Sequence, residues 1–169
     1  MSINGITNVL IILKNDTYTS QEYNPIENIE IFKNRNELEG YHWPARLQAY
    51  LDAGYFEQGS RLVAYVVDWH IAGFTWMHDN FDPNGDVSLL DVKEFHIAGP
   101  LFVEQSQRGK GVSGKLKNQV SAYAKENTGL PIYAVNSFDN IPIIRNNMRE
   151  DYQLSNVIIK LKRRKPIIL

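Results

Sequence analysis

The stretch from Glu94 to Asn127 constrains this 169-residue chain more than any other. It reads as a strand (EFHIAGPLFV), a polar turn rich in glycine and basic residues (EQSQRGKGVSG), and a helix (KLKNQVSAYAKEN). Gly109, Gly111 and Gly114 fall where the turn becomes the helix. Glycine there lets backbone N–H groups crowd towards a ligand with no Cβ in the way. The first turn of a helix has N–H donors without internal partners and carries the positive end of the dipole, so an anion is its natural guest. Arg108, Lys110 and Lys115 add formal positive charge at the same place. The pattern predicts a seat for a phosphate or a pyrophosphate.

Several ligands suit such a seat, and glycine near a helix start also serves as a plain tight turn. A P-loop needs G-x-x-x-x-G-K-[ST], and Gly109 to Lys115 nearly supplies it; Leu116 stands where a hydroxyl should hold magnesium. A dinucleotide-binding turn puts its first glycine at the strand end and an acidic residue about twenty positions on. Asp139 lies at that remove, but the polar spacer Glu104 to Arg108 separates strand from glycine. A third reading rests on likeness. VEQSQRGKGVSGKL resembles the acyl-coenzyme A pyrophosphate loop of the GNAT superfamily of N-acetyltransferases, whose pattern is [QR]-x-x-G-x-[GA] between an apolar strand and an amphipathic helix. Ser106, Gln107, Arg108, Gly109, Lys110 and Gly111 cover that pattern, with Ser106 where Gln or Arg is usual.

The rest of the chain is compatible with an ordinary globular protein: 43% of residues are hydrophobic and 22% charged, with a net charge of −1. That balance calls for neither nucleic acid nor an anionic membrane. With no cysteine there is no disulfide framework, thiolate metal site or cysteine nucleophile, and a cytoplasmic location is expected. The apolar run Val9 to Leu13 is too short to span a membrane and reads as a strand or a docked arm. Ile29 to Phe32 alternate as a strand. Asn34 to Gly54 read as helical, divided by Pro44, with Asn36 as a cap. RLVAYVVD and IAGFTWMHD form a hairpin in which Gly73 marks a bulge or a close backbone approach. Val112, Leu116, Val120, Tyr123 and Ala124 make one helical stripe, and PIYAVNS is the next strand, parallel to the one before it.

The likeness extends from Leu62 to Leu161. The hairpin is similar to the second and third GNAT strands. The later region N-x-x-A-x-x-x-Y-x-K-x-G-F meets Asn140, Ile143, Asn147, Arg149, Asp151 and Tyr152 at its named positions, Asp151 standing for the glycine. The resemblance implies an α/β (α+β) fold: a mixed central sheet splayed between its central parallel strands, with helices on both faces. Residues 1–169 would form a single domain, with 1–27 as an arm or extra strand, 28–161 as the core and 162–169 as a basic, apolar tail.

It also implies a co-substrate, acetyl-CoA or another acyl-CoA, and no metal. Arg108, Gly109, Lys110, Gly111, Val112, Ser113 and Gly114 would hold the pyrophosphate, and Phe102, Val103, Asn140 and Asn147 the pantetheine arm. The Val103 N–H would polarise the thioester carbonyl in direct attack by a primary amine, through a tetrahedral intermediate. Lys110 and Lys115 either meet the ribose phosphate or form a solvated basic face. Glu94 and His96, alternating on one side of the central strand, are the candidate bases, with Asp91 as a third. Asn147 stands where the family commonly has an acidic Tyr, so the thiolate leaves unprotonated or Tyr152, Tyr133 or Ser137 substitutes. His42 and Trp43, beside the break at Pro44, either pack in the core or line the acceptor pocket. The acceptor would be a small-molecule or peptide amine. Many GNAT proteins are dimers, so a homodimer is implied, and Ile167 to Leu169 are available to meet a second subunit. A coenzyme A-binding protein without turnover and a dinucleotide-dependent oxidoreductase are the competing functions.

Overall fold

Alternating β-branched and aromatic residues become strands wherever one face can be buried. The protein is described here by a computed structural model, which describes residues 6–16, 26–161 and 165–169. The strands are β1 (Ile6–Asn15), β2 (Ile29–Phe32), β3 (Arg61–Val67), β4 (His70–Asp79), β5 (His96–Val103), β6 (Ile132–Ser137), β7 (Gln153–Leu161) and β8 (Ile167–Ile168). The helices are α1 (Ala45–Asp52), α2 (Val112–Asn127) and α3 (Ile141–Arg149). All eight strands join one sheet in the order β2-β3-β4-β5-β6-β1-β7-β8. Among the described strands only β5 and β6 pair in parallel, as the crossover through α2 requires.

Helices cover both faces. Leu47 and Leu51 of α1 pack with Phe32, Leu62, Phe74 and Trp76 on one side. The stripe Val112, Leu116, Val120 and Ala124 of α2 packs with Val63, Met77 and Ile132 on the other, where Ile144 of α3 joins it. Beyond α1, the first face is closed over Ile12, Ile97 and Ile158 by Val87 and Phe95 of the segment before β5. Gly73 answers to both of its expected roles. A register shift lies beside it in the β3–β4 pairing. A Cβ there would stand 3.2 Å from Val112, so glycine lets the first residue of α2 settle on the sheet.

Several local expectations change. The N-terminal apolar run is an interior strand: β1 lies between β6 and β7 and pairs antiparallel with both. The segment before Pro44 forms only a 3-10 turn, Arg35–Leu38, capped by Asn34 rather than Asn36. Asn34 suits that cap because its side-chain oxygen accepts from the N–H groups of Asn36 and Glu37. The central strand begins at His96, not Glu94, and the helix after it at Val112. Ile167 and Ile168 fold back onto β7 of their own chain, and Lys162 to Arg164 of the basic tail lie outside the described residues. Among the described residues no helix is long and apolar enough to cross a membrane.

Candidate functional site

The glycine loop opens α2 in the conformation that glycine favours. Gly109 and Gly111 have φ of 77° and 75°. An ordinary L-residue held there loses about 1–2 kcal/mol. A Cβ on either glycine would meet nothing within 4 Å, so open space rather than protein lies in front of the loop. Gly111 is the N-cap of α2 and no side chain caps the helix. The first-turn N–H groups therefore retain their donor capacity towards that space. Val112, 2% exposed, pins the mouth to the sheet, and Ser113 accepts from Asn146 of α3 at 3.3 Å. Gly114 has a different reason: a Cβ there would lie 3.1 Å from the Glu150 carboxylate, so glycine makes room for the end of α3.

Beside this mouth the sheet opens. β5 and β6 pair only at His96↔Ile132 and Ile97↔Tyr133. Beyond Ile97 they are not paired, which splays the sheet at its parallel step. Val103 stands opposite Gly73 of β4, while the next residue, Glu104, donates its N–H to Ala72 at 2.9 Å. Ladder bonds alternate along an antiparallel pair, so the N–H and C=O of Val103 turn away from β4 into the gap. Arg108 donates its Nε to that carbonyl at 3.1 Å, tying the loop to the strand end. Phe102 faces the other side, 5.4 Å from the Phe74 ring and with Arg46 of α1 5.9 Å above it.

Sequence reasoning overlooked the groups that shape the strand below. The β4–β5 register shifts between Thr75 and Met77, opposite Gly99 and Pro100. His78, fully buried, donates from Nε2 to the Gly99 carbonyl at 2.9 Å, leaving Nδ1 to accept the Ser60 hydroxyl at 2.5 Å. Burial lowers the His78 pKa to about 4, against smaller raising effects of Gly99, Asp82 and Asp79, so the ring is neutral at neutral pH. The signal was a polar residue within a run of inward-facing ones. His70, 2.8 Å from Glu104, was also overlooked.

The proposed bases are corrected. His96 is 1% exposed, with Nδ1 2.7 Å from Asp79 and Nε2 2.6 Å from Thr128. It opens β5, whereas Val103 ends it, roughly 23 Å away at ~3.3 Å per residue. Its role is to lock the foot of the sheet. Burial raises the Asp79 carboxyl, but bonds from His96 and Arg61 outweigh it, and the net shift is down. Glu94 is exposed and precedes the strand at the same remote end, and Asp91 is an exposed left-handed residue further back. None of the three faces the gap at Val103.

The other predicted groups lie nearer. The backbone of His42 bonds Trp69 and Ile71 at 2.8 Å each, stitching it to the start of β4, beside the end of β5. Trp43 donates Nε1 to Gln48 at 3.1 Å and packs on the α1 core. Asn140 is exposed where α3 begins. Asn147 is buried, its amide 3.4 Å from Asn136 of β6. Asp151 has φ of 61°, the conformation that makes glycine the usual occupant. Tyr152 is buried, Tyr133 is on the sheet face away from α2, and Ser137 ends β6 half-buried.

Comparison of the whole architecture with solved structures decides the fold. An assigned GNAT-family acetyltransferase from Novosphingobium aromaticivorans superposes with a TM-score of 0.66 over 94% of this chain and 66% of its own, at 13% identity. The fold is that of the GNAT superfamily. A tandem GNAT protein of clavulanic acid biosynthesis matches 92% of the chain at a TM-score of 0.60 and 12% identity, with 53% of its own length covered. The chain thus spans between half and two thirds of these longer GNAT proteins. The aminoglycoside 6'-N-acetyltransferase AAC(6')-Ig of Acinetobacter haemolyticus matches over 75% of this chain and 90% of its own, at a TM-score of 0.54 and 14% identity. AAC(6')-Iy, solved with a bisubstrate analogue of coenzyme A and acetylneamine, matches at 0.51 and 17% identity over 74% of this chain and 90% of its own. No sequence-family model and no curated protein sequence matches the chain.

Proposed function

We propose that this protein is an acyl-CoA-dependent N-acyltransferase that moves an acetyl group to a primary amine. One observation carries the reading. The parting of β5 and β6 lies directly beside an uncapped helix mouth built on left-handed glycines. Such a groove fits a long ligand with an anionic diphosphate and an amide-bearing arm. The GNAT-fold neighbour AAC(6')-Iy holds a coenzyme A analogue, which supports the same assignment.

In this reading the main-chain amides from Arg108 to Gly114 take the diphosphate, assisted by the Arg108 and Lys110 charges. Arg108 gives up the Val103 carbonyl, which then accepts from a pantetheine amide, while the Val103 N–H is left to the thioester carbonyl. The bound thioester supplies an activated acyl group and a thiolate as leaving group. Backbone N–H groups of β5 that face the gap stabilise the negative charge developing on the carbonyl oxygen; one such donor is typically worth ~3 kcal/mol. Asn140 and Asn147 flank the arm from α3. His42, Trp43 and Arg46 wall the acceptor side next to Phe102, where a small-molecule or peptide amine would enter.

Asn147 favours a second reading, a coenzyme A-binding protein without turnover, because its buried amide has no titratable proton to give. Release of free thiol from acetyl-CoA with a panel of primary amines separates the two. Amine-dependent release supports the transferase; protection from thermal unfolding by coenzyme A with no release under any amine supports the binder. Protection by NAD alone would replace both with a dinucleotide enzyme.

A further inference from the structure

The acceptor side of the opening carries a run of aromatic rings with a cation at its Val103 end. Phe102, the residue before Val103, lies 5.4 Å from Phe74, and Phe74 lies 6.0 Å from Tyr50 of α1. The run continues from Tyr50 to Tyr55 at 5.2 Å, from Tyr55 to His78 at 5.0 Å, and from His78 to Phe81 at 5.6 Å. It follows β5, because His78 bonds the carbonyl of Gly99 on that strand. Phe74 and His78 are buried, whereas Phe102, Tyr50, Tyr55 and Phe81 are half-buried. A Phe or Tyr ring offers a large apolar face, and these four still have part of theirs to give.

Arg46, in the first turn of α1, holds its guanidinium 5.9 Å from the Phe102 centroid. No carboxylate among the described residues pairs with it. Resting on a ring leaves the forked N–H donors at the guanidinium's edge open to a planar anion. The nearby acids already have donors of their own. Asp52 accepts from Gln48, Asp82 from the N–H groups of Val87 and Ser88, and Glu104 pairs with His70. This wall suits a carboxylate joined to an apolar group better than it suits a polycation.

We propose that the acceptor is an α-amino acid with an aromatic or other large apolar side chain, its carboxylate held by Arg46 and its side chain laid along the rings from Phe102 towards Phe81. The proposal rests on the transferase reading above and names its acceptor. In an α-amino acid the amine and the carboxylate share one carbon. A carboxylate on Arg46, beside Phe102, therefore brings the amine to the next residue, Val103, whose N–H polarises the thioester carbonyl. The amine nitrogen forms the new bond to the acetyl carbon, and the C–S bond breaks. The thiolate leaves with the electron pair, the surplus proton of the amine passes to solvent, and the product is an N-acetyl amino acid.

The test is thiol release from acetyl-CoA with phenylalanine, phenethylamine, spermidine and kanamycin as acceptors, in the wild type, Arg46→Met and Tyr55→Ala. Phenylalanine is expected to exceed both polycations in kcat/KM. Phenethylamine keeps the ring and the amine but lacks the carboxylate. Arg46→Met should therefore raise the KM for phenylalanine ~10–100-fold, the worth of a hydrogen bond to a charged group, and leave phenethylamine unchanged. Tyr55→Ala should raise the KM for both. Arg46 is exposed, and unaltered thermal protection by coenzyme A shows that its variant folds. Equal KM changes for phenylalanine and phenethylamine in Arg46→Met overturn the carboxylate contact. A preference for spermidine or kanamycin over phenylalanine overturns the acceptor class, and either result leaves the transferase standing. Protection by coenzyme A with no thiol release from any of the four acceptors overturns the transferase reading and this acceptor together.

Discussion

Two side-chain positions test the chemistry most sharply. At Gly111 any side chain is strained by φ of 75°, and a carboxylate there also opposes the diphosphate. Two charges about 4 Å apart near a surface repel by roughly 4 kcal/mol. Gly111→Glu is therefore expected to weaken coenzyme A binding at least ~100-fold by calorimetry, while unchanged affinity would remove the proposed seat. His78 tests the frame beneath it. Its folded pKa, about 4, lies below the ordinary histidine value near 6.5, so the unfolded chain binds the extra proton first. The stability due to the neutral ring is present above pH ~6.5 and is lost as pH falls through about 4. Denaturant titrations from pH 7 to 4 should show that loss, on the order of 3 kcal/mol at most, and His78→Gln should flatten it. An equally steep loss in the variant would assign the acid sensitivity elsewhere.

At the scale of elements, β5 matters most because the backbone groups of its last residue, Val103, turn away from the ladder with β4. Val103→Pro deletes the N–H that faces the gap, at a position where β4 receives no bond. Proline in this strand already stands at Pro100. The variant is expected to lose ~10²–10³-fold in kcat while thermal protection by coenzyme A persists through the loop. Equal turnover would show that the oxyanion is held elsewhere. The same strand shows what was legible beforehand. The glycine spacing and the apolar stripe of α2 are local, and both read directly into structure. The placing of His96 is not local. Alternation tells which side of a strand a residue faces, not which end of the sheet it occupies. The groups that immobilise its ring, Asp79 and Thr128, come from a neighbouring strand and from the far end of α2.

Across the whole molecule, the sheet holds together through its first strand. β1 pairs with six residues of β6 and eight of β7, so it joins the C-terminal strands to the half that carries the glycine loop. Its Leu10, Ile12 and Leu13 are buried in clusters on both faces. Deleting residues 1–16 exposes two strand edges and those side chains together, and the truncated chain should fail to fold by circular dichroism and bind no coenzyme A. A cooperatively folded truncation would mean that β1 is an accessory. By contrast, β8 adds only an exposed edge pair to β7. The most direct measurement of all is a crystal structure with acetyl-CoA. It should show the diphosphate on the main-chain amides from Arg108 to Gly114 and the pantetheine amide paired with Val103 between β5 and β6. A ligand bound elsewhere, or β5 and β6 joined along their length, would contradict the account.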